Sequence, residues 1–177
     1  MLETERLILR QWQESDYLPF IKMGKDPEVM KYFPNNLTED ESLKIIQTVK
    51  EILDSNKWGI WAVELKANHK FIGFIGLHDQ PLQFDFSPCV EIAWRLAKEY
   101  WGKGYATEGA RAVLEYAFNV LHLDKIVSFT ANTNKPSESV MKKIGMTIVR
   151  EFNHPEFSSS PDLEKHILYE ITRSDLA

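Results

Sequence analysis

The chain has 177 residues, of which 44% are hydrophobic and 27% charged, and a formal net charge of −5. That balance suits one folded unit with a sizeable core and excludes disordered, collagenous and disulfide-stapled classes. One cysteine, Cys89, permits no internal disulfide and no cysteine metal cluster.

The remaining broad classes narrow quickly. The acidic balance argues against a nucleic-acid footprint and suits a cationic amine. No run approaches the roughly 18 apolar residues of a membrane span. The charged start Met1-Leu-Glu-Thr-Glu-Arg6 lacks the apolar core of a signal peptide. The expectation is a single domain over residues 1–177, cytoplasmic, with no membrane partner. The five histidines form no ligand spacing, so no metal is expected.

Residues 6–10 are apolar between arginines and predict a first strand. Ser15 is placed to cap a short helix running to Met23, and Asp26-Pro27 to open a second helical piece. Thr38-Glu-Asp-Glu41 reads as a capping box for a longer helix ending near Asn56. Residues 58–65 and 70–77 form a hairpin, and residues 80–87 a loop. Residues 90–96 are a strand, and Trp101-Gly-Lys-Gly-Tyr105 a turn opening a helix with Ala106, Ala110, Val113, Leu114, Ala117, Phe118 and Leu121 on one face. A strand at 125–131, a helix at 136–144 stopped by Gly145, and strands at 146–152 and 166–172 complete the order. This predicts a mixed α/β (α+β) sheet with helices on its faces.

The strand–turn–helix at residues 90–107 carries the most chemistry. Glycines allow positive φ and close approach of a ligand, and the unbonded N–H groups of a helix's first turn favour an anion such as a pyrophosphate. A plain glycine turn has the same spacing. No Gly-Lys-Ser/Thr follows, so it is not a P-loop, and the third glycine of a dinucleotide fingerprint is missing.

These residues resemble the GNAT superfamily of N-acetyltransferases, and within it the RimJ/RimL ribosomal-protein group. The phosphate loop of that superfamily, Arg/Gln-x-x-Gly-x-Gly/Ala, aligns on Trp101-Gly-Lys-Gly-Tyr-Ala106, with Trp101 in place of Arg or Gln. The opening Glu3-Thr-Glu-Arg-Leu-Ile-Leu-Arg10, the stretch Tyr100 to Glu108, and Asn134-Lys-Pro-Ser137 ahead of Lys143-Ile-Gly-Met146 match that group as well. The resemblance implies about seven strands, splayed at the centre where one strand carries a bulge. It also implies acetyl-CoA as acetyl donor and an amine acceptor, either a protein N-terminus or a small molecule. By that resemblance Gly102, Lys103, Gly104, Tyr105, Ala106 and Thr107 hold the pyrophosphate. Ile92, Ala93 and Trp94 hold the pantetheine through their backbone, and Asn134 reaches the coenzyme.

Acetyl transfer needs a neutral amine, hence a base, and the departing thiolate needs an acid or dipole. Glu91 is the expected base, in the apolar context Cys89-Val-Glu-Ile-Ala-Trp94. Its alternative is a strand glutamate facing solvent or pairing with Arg95. Ser137 is the expected thiol-side hydroxyl, with helix capping as its alternative; where many superfamily members carry a tyrosine acid, this chain has Met141. Cys89 reads as a small buried hydrophobe, and His78 sits near the expected cleft. A non-catalytic acyl-CoA-binding regulatory module and an enzyme for longer acyl groups are the competing functions.

Overall fold

The computed structural model describes residues 1–81 and 83–176. An eight-stranded mixed sheet runs in the order β1-β2-β3-β4-β5-β6-β8-β7. Its strands are β1 (Leu2–Glu3), β2 (Leu7–Arg10), β3 (Ile60–Leu65), β4 (Phe71–Gln80), β5 (Cys89–Leu96), β6 (Lys125–Ala131), β7 (Thr147–Asn153) and β8 (Lys165–Thr172). Every neighbouring pair is antiparallel except β5 and β6. The helices are α1 (Tyr17–Lys25), α2 (Glu39–Asn56), α3 (Tyr105–Asn119), α4 (Lys135–Lys143) and the short α5 (Pro161–Glu164). None among the described residues is long and apolar enough to cross a membrane.

The two faces of the sheet carry different helices. On one, Phe20 of α1 meets Phe74 of β4 at 6.2 Å between ring centroids. On the other, Tyr116 of α3 meets Trp61 of β3 edge-on at 5.6 Å. The predicted stripe of α3 is what docks it: Ala110, Val113, Leu114, Ala117 and Phe118 are buried, with Ala106 and Leu121 half-buried at its ends. Each fully buried side chain of leucine or phenylalanine size contributes roughly 1.5–3 kcal/mol.

The capping box of α2 is present as read. Thr38 Oγ1 accepts from Glu41 N–H at 3.1 Å, and Glu41 Oε1 accepts from Thr38 N–H at 2.9 Å. The earlier helical signals are displaced. Ser15 caps nothing: a one-turn helix over Glu14–Asp16 precedes α1, and Gln13 with Asp16 supplies the box. Asp16 is buried and fixed by two bonds from Arg10, at 2.8 and 3.0 Å, which sets where the chain turns. Pro27 opens turns and no second helix. Asp26 Oδ1 accepts from Glu28 N–H at 2.9 Å as an N-cap does, and one bond of helical spacing follows, from Met30 N–H to the Asp26 carbonyl at 3.0 Å, but the piece goes no further than turns.

The sheet adds β1, a two-residue strand too short for any periodicity to reveal. The bulge expected at the splayed strand lies elsewhere. β4 and β5 pair in unbroken register from Gly73↔Leu96 to Gln80↔Cys89, while irregularities fall at Val63/Glu64 and Ile148/Arg150. The centre splays without a bulge there: β6 pairs along its whole length with β8 on one edge and meets β5 at a single register pair on the other.

Candidate active site

β5 and β6 meet at a single register pair, Glu91↔Val127, and then part. One side chain bridges the fork: the buried Ser128 donates its hydroxyl to the Ile92 carbonyl at 3.0 Å. Beyond this point the edge of β5 borders a cleft of about 1750 Å³. The backbone groups of successive strand residues face opposite neighbours. Ile92 faces the β6 side, as its bond from Ser128 shows. Its β4 partner, Leu77, turns its N–H to the Gly59 carbonyl at 2.9 Å. Trp94 therefore also faces the gap, and Ala93 faces β4. Of the expected backbone trio, Ile92 and Trp94 stand at the fork, with the Ile92 carbonyl already taken; Ala93 does not, because its parity is wrong.

The glycine turn closes one end of the cleft. Gly102 and Gly104 both have positive φ, 72° and 81°, and a Cβ on Gly102 would point into open space. Gly104 is the N-cap of α3 and has no side chain to cap with. The first helical bond runs from Glu108 N–H to the Gly104 carbonyl, so the N–H groups of Tyr105, Ala106 and Thr107 have no helical acceptor. An uncapped helix start with open space before it fits a diphosphate. Trp101, exposed to the extent of 44%, donates its indole N–H to the Leu96 carbonyl at 2.9 Å and pins the turn to the end of β5. Lys103 is exposed and stands apart from the cleft walls; its carbonyl accepts from Arg6 at 3.0 Å.

At the other end of the cleft, beside the fork, Glu91 accepts from the Gln80 side-chain amide at 3.1 Å, and its side chain is only 12% exposed. Burial pushes its carboxyl up to about 7, against a smaller opposing effect of the Gln80 bond. His78 lies across from Glu91 in the register; its Nδ1 is 3.2 Å from the Gln80 amide and 3.9 Å from the carboxylate. Burial lowers the pKa of His78, which favours the neutral ring.

A family model described as an acetyltransferase (GNAT) domain matches residues 6–147. An uncharacterized N-acetyltransferase of Bacillus subtilis (strain 168) is 32% identical over 82% of this chain and 81% of its own length. The chain belongs to the GNAT acetyltransferase family. The crystal structure of an acetyltransferase (GNAT family) from Bacillus anthracis shares its fold, with a TM-score of 0.80 at 27% identity over 98% of both chains. A spermidine N(1)-acetyltransferase of Escherichia coli (strain K12) is 32% identical over 88% of this chain and 69% of its own length. The protein is an N-acetyltransferase that moves an acetyl group from acetyl-CoA to an amine.

In this GNAT enzyme the remaining expected residues lie on the α4 side of the cleft. Asn134 caps α4, its Oδ1 accepting from Ser137 N–H at 3.3 Å, and its amide donates to Thr130 Oγ1 at 2.9 Å. Capping of α4 thus falls to Asn134. The Ser137 hydroxyl makes no hydrogen bond among the described residues and lines the cleft. Cys89 is half-buried, and burial raises its thiol, which keeps it protonated.

Near the fork, the cleft residues Phe129, His154, Phe157 and His166 are backed by aromatic packing that carries no local sequence signal. Phe84 and Phe86 stack at 4.8 Å, and Phe84 meets Phe129 at 5.0 Å and His154 at 5.1 Å. His154 and His166 pack at 4.8 Å beside Phe157. The aromatic residues of the 83–88 loop were visible, but nothing in the sequence ties that loop to β6 and β7. The alternative in which Glu91 pairs with Arg95 is not formed. Four residues along a strand separate their Cα atoms by about 13 Å.

Proposed function

We propose that this acetyltransferase works by direct transfer within a ternary complex, with Glu91 as the general base. The carrying observation is a buried carboxyl at the strand fork, raised to about 7. A base poised near neutral pH is both ionised enough to accept a proton and basic enough to keep it. Bound acetyl-CoA supplies the activated thioester and a thiolate leaving group. Gly102, Gly104 and the free N–H groups of Tyr105, Ala106 and Thr107 hold its pyrophosphate, with Lys103 contributing its backbone to the turn. The N–H and C=O of Trp94 pair with the pantetheine amides as an added strand would, and Ile92, whose backbone groups are engaged at the fork, marks where that pairing begins. The second N–H of the Asn134 amide, the one not given to Thr130, orients the coenzyme.

Glu91 removes the proton from the acceptor nitrogen, directly or through one water, and Gln80 fixes the carboxylate that receives it. His78 then offers a route to solvent, 3.9 Å away. The Ser137 hydroxyl donates to the departing sulfur. The acceptor amine enters over the α1–α2 face, which Glu91 shares with Phe74, His78 and Arg95 by strand parity. The RimJ/RimL-like motifs support a protein N-terminus or a small-molecule amine as acceptor. The joining of β1 and β8 in one sheet supports a single catalytic domain over 1–177, and a lone cysteine fits the cytoplasm. Thiol release from acetyl-CoA with a panel of amines, for wild type and Glu91→Gln, tests the reading. Release that is unaffected by the substitution at neutral pH removes Glu91 from it.

A further inference from the structure

The chain has six arginines, and five of them are spent within the protein. Arg6 bonds Glu108, Arg10 bonds Asp16 and Glu64, Arg150 bonds Asp85, and Arg111 and Arg173 bond backbone carbonyls. Arg95 has no hydrogen bond and no ion pair among the described residues, yet it is half-buried on the wall of the catalytic cleft. Its guanidinium lies 4.3 Å from the ring centroid of Phe33 and 5.2 Å from that of Phe74. Neither ring offers a hydrogen-bond acceptor of ordinary strength, so its N–H donors are left for another group. Burial without a compensating carboxylate lowers its pKa to about 10, so it stays charged at neutral pH.

A desolvated cation with unused donors is costly unless something pairs with it. No carboxylate among the described residues stands close enough to offset that burial, which acts on Arg95 unopposed. Phe33 continues into the aromatic wall through Phe157, at 6.2 Å, so Arg95 sits at the boundary of the acceptor space and not on open surface. Because Glu91 and Arg95 share one strand face, a molecule that presents its nitrogen to Glu91 has its far end beside Arg95.

We propose that Arg95 is a specificity-determining residue that binds a carboxylate on the acceptor, so that the preferred substrate is an amine bearing a carboxylate several bonds from the reacting nitrogen. The inference rests on the reading that the acceptor approaches Glu91 over this face. A planar guanidinium held against two rings matches a carboxylate through paired hydrogen bonds. At this position the same cation repels the second ammonium group of a polyamine.

The test compares ω-amino acids of increasing length with alkylamines of the same length, by thiol release from acetyl-CoA and by calorimetric binding to the CoA-loaded protein. Wild type favours the amino acid at the matching length by about tenfold or more in kcat/KM and in affinity. Arg95→Met and Arg95→Gln collapse that ratio through the acceptor KM, while the acetyl-CoA KM holds; Arg95→Lys restores part of it. Glu91→Gln slows turnover but keeps the binding preference, which separates this proposal from the role of Glu91. Equal use and equal binding of both series by wild type overturns it. So does a preference that survives Arg95→Met, or an Arg95 variant that raises the acetyl-CoA KM instead.

Discussion

Arg6 donates from Nε to Glu108 Oε1 at 2.8 Å, which ties the start of the chain to the first turn of α3. The Arg6 backbone N–H adds a second bond to the same carboxylate, at 2.9 Å, and Thr4 donates its hydroxyl to it. Arg6 Nη1 reaches the Lys103 carbonyl, and its guanidinium lies 4.4 Å from the Tyr105 ring centroid. Two motifs a hundred residues apart are therefore halves of one brace around the glycine turn.

Breaking that brace should loosen the coenzyme more than it unfolds the protein. The Arg6 side chain is 42% exposed, so the ion pair itself contributes little, about 0–1 kcal/mol. Glu108→Ala also removes the acceptor of the part-buried Thr4 hydroxyl and of the exposed Arg6 N–H, each worth about 0.5–1.5 kcal/mol at most because water can replace it. Calorimetry should show coenzyme A affinity falling several-fold for Glu108→Ala and less for Arg6→Ala. Wild-type affinity in a Glu108→Ala protein with a lowered Tm would make the brace a matter of stability alone.

Gly104→Val places a β-branched residue at φ 81°, where such residues are strongly disfavoured. A Cβ there meets only Arg6 Nη2, at 3.4 Å, so the penalty is backbone strain and not a clash. The turn relaxes away from positive φ and swings its N–H groups off the phosphate position. Acetyl-CoA affinity should drop at least tenfold, about 1.4 kcal/mol, as measured by the shift in Tm that the ligand induces. A variant that folds and keeps the full shift places the pyrophosphate elsewhere.

What was legible in the sequence was local. The capping box of α2, the stripe of α3 and the β3–β4 hairpin each lie within one stretch of chain and follow from spacing. What was not legible depends on which strands meet. That Trp94 faces the gap and Ala93 does not is decided by the hydrogen-bond parity of β4 with β5. The recruitment of Phe84 and Phe86 to Phe129 is a long-range contact without a periodic signature. Glu91 is conspicuous in the sequence as an acid in an apolar strand. Arg95, on the same strand, is hidden by the ease of pairing it with that acid.

The histidine pair in the aromatic wall should make the fold acid-sensitive. His166 is buried and its pKa is lowered to about 4, chiefly by desolvation; His154 is lowered by the same cause. His154 Nδ1 accepts from Glu156 N–H at 3.1 Å, which requires the neutral ring. A group whose folded pKa lies below its unfolded value contributes stability above the unfolded value, about 6.5, and loses it as pH falls toward 4. The full loss for His166 is on the order of 3 kcal/mol. Tm should fall between pH 6.5 and 4, and His166→Phe should flatten much of that slope. An unchanged slope would move the acid sensitivity to other groups.

Glu91→Gln should separate catalysis from stability, with opposite signs. The substituted amide keeps the shape and still meets Gln80, but it cannot take a proton. Wild-type kcat/KM should rise through about pH 7 as the carboxyl ionises, and the variant should lose that limb. The deficit should sit near the low end of the roughly 10²–10⁴-fold range for general base help, because water and the free-base fraction of the amine substitute in part. It should shrink as pH approaches the amine's own pKa, about 10 for an alkylamine. Stability runs the other way. A carboxyl with a folded pKa above its unfolded value contributes stability below about 4.5, and that contribution is lost as pH rises through 7. At pH 8 the folded wild type carries a buried charge that the neutral amide lacks, so the variant should melt at a higher temperature than wild type there, and the gap should close toward pH 5. Slower turnover together with a higher Tm at pH 8 is the signature of a group held under strain for its chemistry. A variant that is slower and also less stable at pH 8 would instead make Glu91 a structural residue, and the base would then be a water held at the fork.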